Sequence, residues 1–255
     1  MAKDFSGPKA YLLIGNLNVF LGDLIDITHN LMKLFANNSS PWLLWLGPKL
    51  VLIFDDPESI EGSDTATNTL SFLFLMLATF SDIQNQVYEE LYDLYSSSDP
   101  KDVAITMEDI KKMKYLDRVI KETLRLFPPA LVIGRTLKRD TKVNDNVIIP
   151  KNCHVVFAIF SLHRKDKYWN DPSRFNPDRF LLGNYNPKCF IPFSLGLRGC
   201  IGQIFDMTKM EAIAASLLRK FTVRINDPVS VQNVNIKFRI TSQTTETKFL
   251  RFNKR

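Results

Sequence analysis

The stretch TLSFLFLMLATF, residues 69–80, constrains the fold more than any other part of the chain. It carries no charge, so it will not rest against water, and it is too short to cross a bilayer as a helix. It therefore predicts a buried helix, running from about Gly62 to Phe80, that the remaining chain must cover. With 255 residues and 45% hydrophobic content, the chain has apolar material for one large domain or two small ones. Charged residues make up 24%, which excludes both a disordered chain and a membrane bundle.

Around that helix the pattern is mainly α with small β-sheets. DIQNQVYEELYDLY predicts a second helix with Asp82 as its N-cap, and Met107 to Leu126 predicts a single helix ended by Phe127-Pro128-Pro129. Upstream, DLIDITHNLMKLFANN has a helical pattern, and WLLWLGPKLVLIFDDP predicts two short strands about a Gly-Pro turn. Residues 96–102 are a polar loop, 131–159 carry strand-like runs, and 164–190 are rich in turns and aromatics. A final helix runs from just after Cys200 to about Lys220, followed by strands at FTVRI and beyond.

The net charge of +6 suits an anionic membrane surface or an acidic protein partner. The charges are spread rather than blocked, so nucleic acid is not expected as a partner. The three cysteines, Cys153, Cys189 and Cys200, form no CxxC pair and have no zinc-ligand spacing. An odd count without a secretory signal points to free thiols in a reducing compartment, and MAKDFSGPKAYLLIGNL shows neither a signal-peptide core nor a spanning segment.

FSLGLRGCIG, residues 193–202, sets a lone cysteine before a helix, among Gly196, Gly199 and Gly202. Unpaired N–H groups and the positive end of a helix dipole favour the thiolate of a cysteine placed there. Three readings stay open on the loop alone: a nucleophile, a metal ligand with one open position such as haem iron, and an inert buried thiol. The nucleophile needs a base, and no signature ties His29, His154 or His163 to Cys200. Elsewhere KETLR places Glu122 and Arg125 three apart on one helix face. PSRFNPDRF leaves Arg179 in an aromatic-proline meander, and EGSDTATNT sets Asp64 and Thr65 early in the apolar helix.

In order, these residues resemble the cytochrome P450 family. Phe193, Gly196, Arg198, Cys200 and Gly202 match the fixed positions of its Phe-x-x-Gly-x-Arg-x-Cys-x-Gly loop, and Glu122 with Arg125 match its Glu-x-x-Arg pair. Arg179 matches the meander arginine, and Gly62, Asp64 and Thr65 match the Gly-x-Asp-Thr of the oxygen-side helix. The resemblance implies a haem-thiolate monooxygenase that inserts one oxygen atom from O2 into a lipophilic substrate. Haem b would be its cofactor, with electrons from NADPH through cytochrome P450 reductase, cytochrome b5 as a second partner, and a place at the endoplasmic reticulum membrane. Cys200 would be the axial ligand of the haem iron, Phe193 its water-excluding neighbour, and Arg198 and Arg135 the propionate partners. Gly196 and Gly202 complete the cofactor-binding loop. Asp64 and Thr65 would be the catalytic pair on the oxygen side, and Glu122, Arg125 and Arg179 a structural triad. EGSDT is similar to the EGHDTT of the fatty-acid ω-hydroxylase branch and its insect relatives, in which the glutamate can esterify a haem methyl; Ser63 and Ala66 depart from it. Glu61 would be that residue.

The resemblance also implies a truncated cytochrome P450 fold. Residues 1–60 resemble the family's first loop, helix and strand pair, and 61–255 its C-terminal haem-binding part. What the family places between them is missing at Ile60–Glu61, as in an internally deleted isoform or a misjoined gene model. Without that roof, the apolar face of residues 69–80 and the oxygen side are expected to lie open to water, and the chain to be weakly active or inactive.

Overall fold

The computed structural model describes residues 42–46, 49–53, 63–95, 104–238, 242–244 and 249–255, with helical backbone also at Asp26, Asn30, Lys33 and Asn37. Residues 1–63 and 64–255 form two compact units. In the first, strands β1 (Trp42–Leu46) and β2 (Lys49–Ile53) pair antiparallel, Trp42 against Ile53 and Leu46 against Lys49, as the sequence predicts.

The second unit is built on four helices: α1 (Ser63–Thr79), α2 (Ser81–Leu94), α4 (Lys114–Leu126) and α6 (Gln203–Lys220). Two short ones, α3 (Met107–Lys112) and α5 (Ile159–Leu162), join them. Small two-stranded antiparallel sheets lie around the helices. β3 (Val132–Thr136) pairs with β6 (His154–Ala158), and β4 (Thr141–Asn144) with β5 (Val147–Ile149). β8 (Ile236–Phe238) pairs with β9 (Ser242–Thr244), and β7 (Phe221–Arg224) with the closing strand β10 (Arg251–Lys254). No single helix among the described residues is long and apolar enough to cross a membrane, and α1 and α2 bend through 107° at their junction.

The apolar run behaves as a core element, but it is covered where exposure was expected. Phe72, Leu73, Phe74, Leu75, Met76 and Leu77 of α1 are all buried. Phe72 stacks on Phe127 at 4.5 Å, Phe80 on Phe175 at 5.4 Å, and Phe74 meets Phe252 of β10 edge-on at 5.8 Å. The expectation of an open α1 face is therefore corrected: the end of α4, the meander and the C-terminal strand supply the cover, because burying these rings is worth more than leaving them wet. Exposed apolar side chains gather instead at the cysteine loop and the start of α6, on Leu195, Leu197, Ile201, Ile204 and Phe205.

Two helix boundaries differ from the sequence pattern. Asp82 is not the cap of α2; the helix begins at Ser81, Phe80 holds the capping position with no side-chain bond, and Asp82 sits in the first turn, where its charge favours the dipole. The predicted helix from Met107 to Leu126 is two helices, interrupted at Met113. Glu90 of α2 reaches across and accepts from the backbone N–H groups of Tyr115 at 2.6 Å and Leu116 at 2.9 Å. A carboxylate from a neighbouring helix thus caps α4 and fixes where it starts. A second long-range tie comes from Gln84, buried on α2. Its amide nitrogen donates to the carbonyls of Leu77 and Val223, both at 2.9 Å, and its oxygen accepts from the N–H of Val223 at 2.7 Å. It pairs with β7 as a strand backbone would.

Gln84→Leu is expected to strand those backbone groups and lower stability by about 1–3 kcal/mol, read as a shift in urea midpoint. On α6, burial pushes the carboxyl of Glu211 up to about 7, Asp117 of α4 pushes it further the same way, and Lys121 and Lys114 of α4 oppose them. The folded state therefore holds this proton longer than the unfolded chain, and stability falls as pH rises from about 4.5 to about 7. Glu211→Gln should gain on the native chain through that window and hold the gain above it, in urea titrations near pH 5 and pH 8.

Candidate functional site

The site rests on a buried ion cluster. Glu122 and Arg125, one helical turn apart on α4, are both fully buried and form a bidentate pair at 2.7 and 2.9 Å. Arg179, in the 3-10 turn Pro177–Phe180, donates its Nε to Glu122 at 3.3 Å, and the N–H of Asn176 donates to the same oxygen at 2.8 Å. The remaining Arg179 nitrogens donate to the carbonyls of Asn170, Asp171 and Arg174. Arg125 adds bonds to the carbonyls of His163 at 2.8 Å and Arg174 at 3.3 Å, and lies over the ring of Trp169 at 5.2 Å. One carboxylate thus holds two guanidiniums, which gather α4, the end of α5 and the meander. The three residues expected as a triad meet as such.

The cysteine loop is shaped by two glycines and a tight backbone path. Gly196 has φ of 72°, a left-handed conformation that a side chain would strain, and Ser194 accepts the same region with φ of 67°. A Cβ on Gly199 would lie 3.1 Å from the carbonyl oxygen of Gly196, so a side chain there would crowd that oxygen. The N–H of Gly199 donates to Gly196 at 2.9 Å, and the N–H of Cys200 to the carbonyl of Phe193 at 2.8 Å. Helix α6 starts at Gln203 with Gly202 as its cap, which leaves Cys200 two residues outside the helix, with its thiol exposed. A Cβ on Gly202 would meet the Cys200 sulfur at 3.9 Å and the Asp206 carboxylate at 3.7 Å, so this glycine sits between the thiol and the first turn.

A cavity of about 420 Å³ opens against this loop, lined by Thr65 of α1, Ile133 and Arg135 of β3, and Phe193, Arg198, Cys200 and Asp206. Arg135 is tied to the loop rather than free: it donates to the Ser194 hydroxyl at 2.9 Å, the Arg198 carbonyl at 3.1 Å and the Gly134 carbonyl at 2.8 Å. Arg198 is exposed, and its guanidinium makes no hydrogen bond among the described residues. Thr65 is half-buried, and its carbonyl accepts from the Thr69 hydroxyl at 2.9 Å. Glu61 and Gly62 lie outside the described residues, as does the side chain of Asp64.

Three side chains escaped the sequence reading. Asp206, buried in the first turn of α6, lines the cavity; burial pushes its carboxyl pKa up and Lys209 opposes this. His163 is fully buried, and its Nε2 accepts from the N–H of Ile191 at 3.0 Å, just before the cysteine loop. Glu90 caps α4 from outside it. Glu90 and His163 show no local signal because each acts on a residue distant in sequence, and Asp206 shows none because only the fold brings it to the cavity. For the ion cluster, Glu122→Gln leaves Arg125 and Arg179 without their anion, and a loss of about 3–5 kcal/mol is expected, read as insolubility or a lowered Tm.

A sequence profile described as Cytochrome P450 matches residues 58–251. Among curated relatives, cytochrome P450 4V2 of Mus musculus is 37% identical over 67% of this chain and 32% of its own length. Probable cytochrome P450 525A1 of Dictyostelium discoideum is 36% identical over 77% of this chain and 35% of its own. Probable cytochrome P450 4ac1 of Drosophila melanogaster is 35% identical over 76% of this chain and 38% of its own. The chain spans about a third of the length of these relatives. The profile match, the mainly helical architecture and the relatives named 4V2 and 4ac1 lead to one conclusion: the chain belongs to the cytochrome P450 family and resembles its family-4 branch.

Proposed function

We propose that the cavity holds a haem through Cys200 and that the chain is the haem-binding part of a monooxygenase acting on a lipophilic substrate. The observation that carries this reading is the single cavity joining Thr65, Arg135, Phe193, Arg198 and Cys200, which come from three separate regions of the sequence. The donor set fits the group: a soft sulfur for iron, apolar walls from Pro129, Ala130, Ile133 and Phe193 for a flat ring, and guanidiniums for its carboxylates. When bound, a thiolate-ligated haem supplies the activation of dioxygen.

The chain's own residues bind, orient and exclude water. Cys200 presents its sulfur from a loop whose tight path Gly196 and Gly199 permit. Arg198 is the free guanidinium for a propionate, and Arg135, which lines the cavity, holds Ser194 and the Arg198 carbonyl. Phe193 shields the sulfur. The Thr65 hydroxyl, with Asp64 beside it in sequence, would hold or pass a proton at the substrate side. Glu122, Arg125 and Arg179 support the fold rather than touch the reacting atoms. Electrons from NADPH through a partner reductase, with cytochrome b5 as a second donor, and residence at the endoplasmic reticulum membrane complete the proposal. A fatty acid or terpenoid suits the apolar lining.

The test is the absorption spectrum of the haem-loaded, reduced, carbon-monoxide-bound chain. The native chain should give the strongly red-shifted band of thiolate ligation, and Cys200→Ala should lose it. Failure of the native chain to take up haem, or an unshifted band unaffected by Cys200→Ala, would leave a fragment without this chemistry.

A further inference from the structure

We infer that His163 is a positioning residue for the cysteine loop, a neutral imidazole strut that ties the start of the loop to the buried ion cluster. The inference rests on the reading of Cys200 as the haem ligand and adds a residue to it. His163 sits at the end of α5, and its backbone and its ring face in two directions of use. Its carbonyl accepts from Arg125 at 2.8 Å, which fixes the backbone to the Glu122 pair. Its ring nitrogen Nε2 accepts from the N–H of Ile191 at 3.0 Å, and Ile191 lies two residues before Phe193. Phe193 in turn receives the Cys200 N–H on its carbonyl at 2.8 Å. A continuous path of hydrogen bonds and short backbone steps therefore runs from Glu122 through Arg125, His163 and Ile191 to Cys200.

The ring is packed between aromatic neighbours. It stacks on Phe190 at 5.5 Å and meets Trp169 edge-on at 6.5 Å, and the Trp169 indole N–H donates to the Leu162 carbonyl at 3.2 Å. Because a backbone N–H can only donate, Nε2 must be the bare nitrogen, and the ring proton belongs on Nδ1. Nδ1 is buried without a hydrogen bond of good geometry. A charged ring would lose that acceptor. Burial pushes the imidazole pKa down to about 4, backbone contacts from Arg125 and Leu124 oppose this, and the charges of Arg125 and Arg164 push it down again. The strut therefore stays neutral at ordinary pH. His163 is no general base for Cys200; its task is to hold the chain that presents the sulfur.

The experiment compares the native 255-residue chain with His163→Gln, whose amide oxygen can replace Nε2, and His163→Phe, which keeps a stacking ring without an acceptor. Amide hydrogen exchange of the haem-free proteins is the first readout. His163→Phe should exchange about fivefold to tenfold faster at Ile191 and Cys200, the change expected for one buried hydrogen bond, while α4 keeps its protection. His163→Gln should stay near the native rates. In the haem-loaded proteins, the Phe variant should convert from the thiolate band to an unshifted band faster than the Gln variant. Equal exchange in the Phe variant and the native chain, or equal loss in both variants, overturns the inference. If His163→Phe also exposes α4, the imidazole nitrogen shifts of the native chain decide: a protonated Nε2 overturns the strut, and a bare Nε2 with protonated Nδ1 upholds it. A native chain without a thiolate band removes the haem reading while the exchange result on the loop still stands.

Discussion

Glu122 is the constraint on which the rest of the molecule depends, because a carboxylate without access to water must be neutralised where it stands. Two arginines do this, Arg125 from its own helix and Arg179 from the meander, and both would be stranded without it. The fork of Arg125 matches the carboxylate in two parallel bonds and still reaches the carbonyls of His163 and Arg174. An irregular segment with almost no regular backbone bonding is given a fixed path in this way. The meander is ordered by charge and guanidinium geometry rather than by secondary structure.

Around that cluster the core is assembled from aromatic contacts of mixed origin. Phe72 lies against Phe127 at the end of α4, Phe80 against Phe175 of the meander, and Phe74 against Phe252 near the C-terminus. The long apolar helix is enclosed by segments far from it in sequence, and its N-terminal Thr65 is left at the cavity beside Cys200. One group of exposed apolar side chains lies at the rim of the cysteine loop, where Leu197 and Ile201 are fully in solvent. The matched part of the chain covers about a third of the length of these relatives.

The cysteine loop combines two kinds of control. Gly196 and Gly199 act locally, by admitting a left-handed turn and a close carbonyl. Arg135 and His163 act from outside, one through the Ser194 hydroxyl and the Arg198 carbonyl, the other through the N–H of Ile191. A thiol presented in one geometry needs both, since a loop held only by its own bonds would retain too much freedom.

Much of the site was legible because its parts are local patterns. A glycine that must turn left-handed, a thiol just before a helix, and a glutamate and arginine one turn apart can all be seen in a few neighbouring residues. Strand pairs at short turns and the apolar period of α1 belong to the same class. What the sequence could not express is which distant groups complete those patterns. The break at Met113 depends on Glu90, the edge of β7 on Gln84, the cover of α1 on Phe127, Phe175 and Phe252, and the start of the cysteine loop on His163. The chain by itself determined the chemistry it carries, through local spacing and residue type. Only the tertiary structure decided what holds that chemistry in place, because a buried hydrogen bond or ion pair is defined by its partner's position in space, and that position exists only once the core has closed.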